Sequence, residues 1–228
     1  CGMGGDGSFR GARDLSLKGI PCIGIPGTID NDIASSDYTV GFDTAVNTVM
    51  DMVDKLRDTS QSHDRCSIVE VMGRRCGDIA LHAGIACGAV AILVPEVPFS
   101  IDSIIEKMQR TLRTGKKHFI IIVAEGVTSV GGVGTVHDIA EEIEARTGVE
   151  SRATVLGHVQ RGGAPSARER VLASEMGYHA VELLEQGIGN RVVVNHDNKI
   201  VDYDILEALQ MKKQFDCHLY DIADAISI

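Results

Sequence analysis

Two glycine-rich acidic segments carry most of the chemistry. Gly4-Gly5-Asp6-Gly7-Ser8 leads into a pattern of helical period. Glycines let backbone N–H groups approach phosphate oxygens closely, and a helix start favours an anion. An aspartate in such a loop repels phosphate by itself, so it points to a bridging Mg2+. The alternative is a glycine turn in which Asp6 or Ser8 caps the helix. Positions 2–7 also spell G-x-G-x-x-G, but the sequence shows no strand ahead of it to complete a dinucleotide site. The second segment is Pro26-Gly27-Thr28-Ile29-Asp30-Asn31-Asp32, directly after the aliphatic run Ile20–Ile25. Two carboxylates in a strand-end loop can divide labour, one taking a proton while the other orients groups or holds metal. On a regular strand Asp30 and Asp32, two apart, project to one side. The alternative is an Asx-rich turn.

Arginines flank the other aliphatic runs. Arg65 precedes Ser67–Met72, and Arg74 and Arg75 follow it. Arg152 opens the run at Thr154–Leu156, and Arg161 follows in Gly157-His158-Val159-Gln160-Arg161-Gly162-Gly163. Arginine grips phosphate through a bidentate fork. One arginine alone reads as solvated surface, and His158 alone as a structural hydrogen-bonder. Arginines at three strand ends of a chain with net charge −10 point to phosphate. Glu125-Gly126 closes the run Phe119–Ala124. A carboxylate there accepts hydrogen bonds from sugar hydroxyls, or caps the next turn. Together these groups describe phosphoryl transfer, which is mostly positioning and charge neutralisation.

The elements that hold them follow from periodicity. Ile20–Ile25, Ser67–Met72, Ala89–Val94, Phe119–Ala124 and Thr154–Leu156 are apolar with almost no alternation, as in parallel strands covered on both faces. Helical stripes lie between them, at Phe42–Leu56, at Ile101–Leu112 with Ser100 as N-cap, and at Val136–Ile143 ended by Gly148. Ser166-Ala167-Arg168-Glu169 spells a capping box for a helix that stops at Gly187. Val192–Val194 and Ile200–Tyr203 read as an antiparallel hairpin. This alternation predicts an α/β, doubly wound, three-layer α/β/α architecture. Gly131, Gly132 and Gly134 mark one loop.

Composition narrows the classes. The 228 residues are 44% hydrophobic and 24% charged, a globular balance. No run is long enough to cross a bilayer, and no secretory segment opens the chain. The acidic charge argues against nucleic acid and anionic membrane as partners. Cysteines at 1, 22, 66, 76, 87 and 217 show no zinc spacing and read as reduced thiols in the cytoplasm.

The order GGDGS, PGTIDND, Met72-Gly73-Arg74, Glu125-Gly126 and GHVQRGG resembles that of the bacterial ATP-dependent 6-phosphofructokinase family, from about residue 4 to the C-terminus. The resemblance implies two similar domains. Residues 1–41 and 160–210 would form a nucleotide-binding domain, and 42–159 with 211–228 a sugar-phosphate and effector domain. It implies transfer of the ATP γ-phosphoryl group to the 1-hydroxyl of fructose 6-phosphate, with Mg2+, in a cytosolic homo-oligomer, usually a tetramer. By the same resemblance Asp30 is the catalytic base, with Thr28 and Asp32 beside the reacting groups and Ile29 in the same substrate-binding run. Asp6 serves Mg2+, and Gly5, Gly7 and Ser8 hold ATP phosphates. Met72, Gly73, Arg74 and Glu125 contact the sugar. His158 and Arg161, with Val159 and Gln160 between them, contact its 6-phosphate. Arg65 and Arg152 reach that phosphate in a neighbouring subunit's site. Glycine at both 7 and 27, where pyrophosphate-dependent relatives carry bulky charged residues, marks ATP as donor.

The resemblance has three departures. A first strand and glycine loop of the family, roughly a third of its subunit, have no counterpart here, so the first domain is expected to be incomplete. At the family's effector site Arg57, Gly88, Ala89, Lys116, Lys117 and His118 fall on contacting positions. Val90 stands there for a metal-bridging glutamate and Thr114 for a lysine, which implies a weak or altered response to ADP and phosphoenolpyruvate. Residues 129–134 read as a short insertion. The competing readings are a non-catalytic regulatory or oligomerisation subunit and another GGDG-type kinase.

Overall fold

The computed structural model describes residues 1–130 and 134–227. Gly131 and Gly132, and with them most of the expected loop and insertion, lie outside the described residues. In chain order the strands are β1 (Gly2–Gly4), β2 (Ile23–Thr28), β3 (Val40–Gly41), β4 (Cys66–Val71), β5 (Ala91–Leu93), β6 (Phe119–Ala124), β7 (Ser151–Val155), β8 (Arg191–His196) and β9 (Lys199–Asp204). The helices are α1 (Asp6–Ser16), α2 (Phe42–Ser62), α3 (Asp78–Ala86), α4 (Ile101–Leu112), α5 (Glu125–Val130), α6 (Val136–Thr147), α7 (Ala167–Glu185), α8 (Ile205–Ala208) and α9 (Cys217–Ile226), with a 3-10 turn at Gly157–Arg161. The chain divides into two compact units: Cys1–Thr44 with Gly163–Gln214, and Ala45–Gly162 with Phe215–Ile228.

The first unit holds a sheet in the order β1-β2-β8-β9, with β3 also on β2. All pairings are parallel except the β8–β9 hairpin. Leu172, Met176, Ala180 and Leu183 of α7 pack on Ile23, Ile25 and Val193. Phe9 of α1 and Ala208 of α8 pack with Val192 and Val194. Val192 and Val194 alternate with Val193 along β8, so the two clusters lie on opposite faces and the unit has three layers.

The second unit holds a parallel sheet in the order β5-β6-β4-β7. Every residue of β6 is buried, as a strand covered on both faces requires. Helix α6 packs on β4 and β7, and α3 on β5 and β6.

Several local expectations need correction. Strand β1 does precede α1, inside the glycine pattern itself; its Gly-Met-Gly composition hid it. Strand β2 begins at Ile23 and runs through Pro26. Proline fits there because Pro26 lies between the last pairing to β8, Gly24 with Val192, and the first to β3, Gly27 with Val40. Asp30 and Asp32 therefore sit in a bend, not on a strand, and the left-handed Asn31 (φ +51°) between them breaks the alternation. Ser100 makes no side-chain cap; its carbonyl instead accepts from the Ser103 hydroxyl. The Ser166 box is half-made, because the Glu169 carboxylate goes elsewhere. The full capping box is Thr135 with Asp138.

Candidate active site

In the first unit the start of α1 and the end of β2 lie side by side. The parallel pairing of Gly4 with Pro26 places both at carboxyl strand ends, where open α/β sheets bind ligands. Gly5 occupies the N-cap position in an extended conformation, with no side-chain cap, so the first N–H groups of α1 are not taken by a cap side chain. A Cβ on Gly5 would lie 3.8 Å from Thr28 Cβ, and one on Gly7 would meet nothing within 4 Å. Gly4 is needed for a steric reason, since a Cβ there would lie 2.1 Å from Ser8 Oγ. Asp6 opens the helix and pairs with Arg10 at 2.7 Å.

The bend after β2 is stitched tightly. The Thr28 hydroxyl accepts the Asp30 N–H at 3.2 Å. The Thr39 hydroxyl donates to the Thr28 carbonyl at 2.7 Å, and Asn31 Oδ1 accepts the Thr39 N–H at 3.1 Å. Ser36 and Asp37 bond to Asn195 of β8. Asp30 is 2% exposed, and Asp32 Oδ1 is buried with no hydrogen-bond partner among the described residues. Neither Asn31 nor Thr39 has a role in the sequence-level reading; the signal available for Asn31 is its residue type, because asparagine tolerates the left-handed region it occupies here.

In the second unit the sequence-predicted residues separate to opposite ends of one sheet. Met72–Arg74, Glu125 and the 157–161 turn follow β4, β6 and β7, at the carboxyl end. Glu125 Oε1 accepts the N–H groups of Gly73 and Arg74 at 3.0 and 2.6 Å, and Gln160 Oε1 accepts that of Met72 at 2.8 Å. Gln160 is 1% exposed. His158, Val159 and Arg161 share its turn and are more open. Arg65 and Arg152 stand instead at the amino ends of β4 and β7. Six residues of strand span about 20 Å, so these arginines cannot meet Arg161 on one small phosphate within one chain. Both grip Glu150, Arg65 at 2.7 Å and Arg152 at 3.0 Å through their Nε atoms. Hydrogen bonds from Arg65 and then Arg152 hold the Glu150 carboxyl below its usual range. Glu150 was missed because an acid beside an arginine reads as ordinary surface.

The effector-position residues also lie towards the amino end of this sheet. Val90 precedes β5 and is buried, and Lys116, Lys117 and His118 precede β6. Arg57 Nη2 donates to the Cys87 carbonyl, beside Gly88 and Ala89. Lys117 pairs with Asp64 at 3.6 Å, and the Thr114 hydroxyl is spent on the Thr111 carbonyl.

All six cysteines are free thiols. Burial pushes Cys66 up to about 12 and Cys87 to about 11, far from a thiolate at neutral pH. Among the described residues no three His, Cys, Asp or Glu side chains converge as a metal cage, and no helix is long and apolar enough to cross a membrane. A lone Asp6 at an uncapped helix start does fit Mg2+ carried on phosphates, since that ion keeps its waters and takes one or two carboxylates.

The sheets define a three-layer α/β protein whose strand ends carry glycine, aspartate and arginine groups of the kind that can bind phosphate. Residues 1–184 match the family model described as Phosphofructokinase. An ATP-dependent 6-phosphofructokinase of Clostridium tetani is 59% identical over 225 residues, 99% of this chain and 69% of the relative. One of Bacillus cytotoxicus is 54% identical over 226 residues, with the same two coverages. The chain belongs to the phosphofructokinase family. Among solved structures, phosphofructokinase from Saccharomyces cerevisiae superposes with a TM-score of 0.83 at 32% identity, over 99% of this chain and 34% of that one. A pyrophosphate-dependent phosphofructokinase from Marinobacter aquaeolei shares the fold, with a TM-score of 0.80 at 23% identity over 95% of this chain and 61% of its own. This chain thus spans about a third of the yeast subunit it resembles.

Proposed function

We propose that the chain transfers the γ-phosphoryl group of ATP to the 1-hydroxyl of fructose 6-phosphate, giving fructose 1,6-bisphosphate and ADP in glycolysis. The observation that carries this reading is the uncapped start of α1 beside the Asp30 bend on adjacent parallel strands. The first unit is the nucleotide-binding unit. The N–H groups of Gly5 and Gly7 and the hydroxyl of Ser8, whose own N–H is donated to the Gly5 carbonyl at 3.0 Å, hold ATP phosphates, and Asp6 is the protein ligand of Mg2+. Bound Mg2+ supplies neutralisation of phosphate charge. Asp30 takes the proton of the attacking hydroxyl, and its backbone is fixed for that task by Thr28. Asp32, with its buried unpaired oxygen, and Ile29 complete the bend.

The second unit is the sugar-phosphate unit. Met72, Gly73, Arg74 and Glu125 orient the sugar, and His158 and Arg161 grip its 6-phosphate. Arg65 and Arg152, at the far end of the sheet, serve the phosphate of another copy in a homo-oligomer, a tetramer in this reading. Open space at Gly7 favours ATP over pyrophosphate. The buried Val90 and the engaged Thr114 leave effector binding by ADP or phosphoenolpyruvate weakened. The enzyme works in the cytoplasm. The test is a coupled assay of the full-length protein with fructose 6-phosphate and either ATP or pyrophosphate. Turnover with ATP is expected. No turnover with either donor, in folded protein, rejects the reading.

A further inference from the structure

Three successive backbone N–H groups, those of Met72, Gly73 and Arg74, all end on side-chain oxygens rather than on backbone. Gln160 takes the first and Glu125 the next two. The backbone between them is unusual. Gly73 has φ +145°, and Arg74, which is not glycine, has φ +55°. The left-handed region disfavours an L side chain, so something must hold Arg74 there. A Cβ on Gly73 would lie 2.4 Å from the Cys76 carbonyl oxygen, so this conformation of the turn requires glycine there. Gln160 reaches the turn from the 3-10 segment after β7, a distance of 88 positions in sequence. It is buried, its oxygen is committed to Met72, and its Nε2 has no hydrogen-bond partner among the described residues. A side chain so placed fixes a backbone and leaves one donor in reserve.

We infer that Gln160 is a positioning residue: with Glu125 it clamps the Met72–Arg74 turn in the one conformation that presents Arg74 to the sugar phosphate. This rests on the reading of that turn as the sugar-binding segment. It differs from the sequence-level expectation that Gln160 is itself a contact to the phosphate. The side chain acts through the backbone of Met72 and through the direction this gives to Arg74.

The test compares Gln160→Met, which keeps the volume and loses the acceptor, with Gln160→Glu, which keeps an acceptor oxygen. In the full-length protein Gln160→Met should raise the KM for fructose 6-phosphate about tenfold, the worth of one net hydrogen bond. Its kcat and its KM for ATP should stay within about threefold, because only binding of the sugar phosphate is weakened. Gln160→Glu should recover most of the sugar-phosphate affinity. Hydrogen exchange at the Met72 amide should speed up in Gln160→Met and return towards the native rate in Gln160→Glu. An unchanged Met72 exchange rate in Gln160→Met overturns the clamp. So does faster exchange with an unchanged KM. If both variants fail to fold, the role is structural and the inference is wrong. Native protein that leaves fructose 6-phosphate unphosphorylated sinks the functional reading separately, while Met72 exchange still reports on the clamp.

Discussion

Glu169 Oε1 accepts the backbone N–H of Gly41 at 2.6 Å, joining α7 to β3 across 128 positions of sequence. Its other oxygen takes the Thr44 hydroxyl. Glu169 is 2% exposed. Strand β3 is only two residues long and pairs with the end of β2, from which the Asp30 bend departs and to which it returns. The carboxylate therefore closes the loop that carries Asp30, the base in the proposed reaction.

Replacing Glu169 by Ala should destabilise the fold by about 1–3 kcal/mol, because a buried acceptor is removed and its donors are stranded. Glu169→Gln, which keeps one oxygen acceptor, should cost less. Urea unfolding of both variants checks the order, and equal losses would show that the acceptor oxygen is not what matters.

Asp30→Asn should keep sugar-phosphate binding while kcat falls about 10²–10⁴-fold, the usual weight of general-base catalysis. The amide preserves the size of the buried side chain, so the melting temperature should barely move. A variant with near-native kcat removes Asp30 from the role.

Gly7→Asp should lower kcat/KM for ATP without loss of stability. A Cβ there meets no atom within 4 Å, and an acid in the first turn of a helix is favourable. In the proposed function, however, its charge would repel the ATP phosphates at this helix start. Gly27→Lys acts differently, because a Cβ would lie 2.5 Å from Met3 Cγ and must push that exposed side chain aside. Steady-state kinetics with ATP and pyrophosphate, run beside thermal melts, separate the two effects.

Asp202 gives a pH prediction. Burial raises its pKa, but hydrogen bonds from His179 at 3.0 Å and from Arg191 outweigh that and hold it below the usual carboxylate range. In acid the unfolded chain then binds more protons at this group than the folded one. The stabilisation is fully present above about pH 4 and is lost as pH falls through the lowered folded value. Asp202→Asn should cost about 1.5–3 kcal/mol at neutral pH, the worth of hydrogen bonds to a charged group. The gap from the native protein should close below pH 4. A gap that does not change with pH in unfolding curves would contradict the charge argument.

Local chemistry made much of this protein legible without coordinates. The run Phe119–Ala124 coincides with β6 because a short apolar run with four β-branched residues in succession, Ile120–Val123, suits a strand buried on both faces. Gly148 ends α6 at φ +72° because glycine enters the left-handed region without strain. The hairpin β8–β9 follows from two valine- and isoleucine-rich runs around Asp197-Asn198, both left-handed in the structure. The helix start at Gly5-Asp6 and the bend around Asn31 could be located from residue types alone, because Gly, Asp and Asn favour helix starts and turns. What sequence could not decide is which side chain answers which backbone group. Glu169 spells a local capping box, yet it bonds to Gly41, because a buried N–H on a distant strand outcompetes one that water can serve. Pro26 looks like a strand end, yet it lies inside β2, because the gap between two ladder partners is a tertiary fact. Residue type says only that each arginine can grip phosphate; strand direction sends Arg65 and Arg152 to one end of the sheet and Arg74 and Arg161 to the other. Residue type fixes what a group can do; only the packing of strands fixes which groups it can do it with.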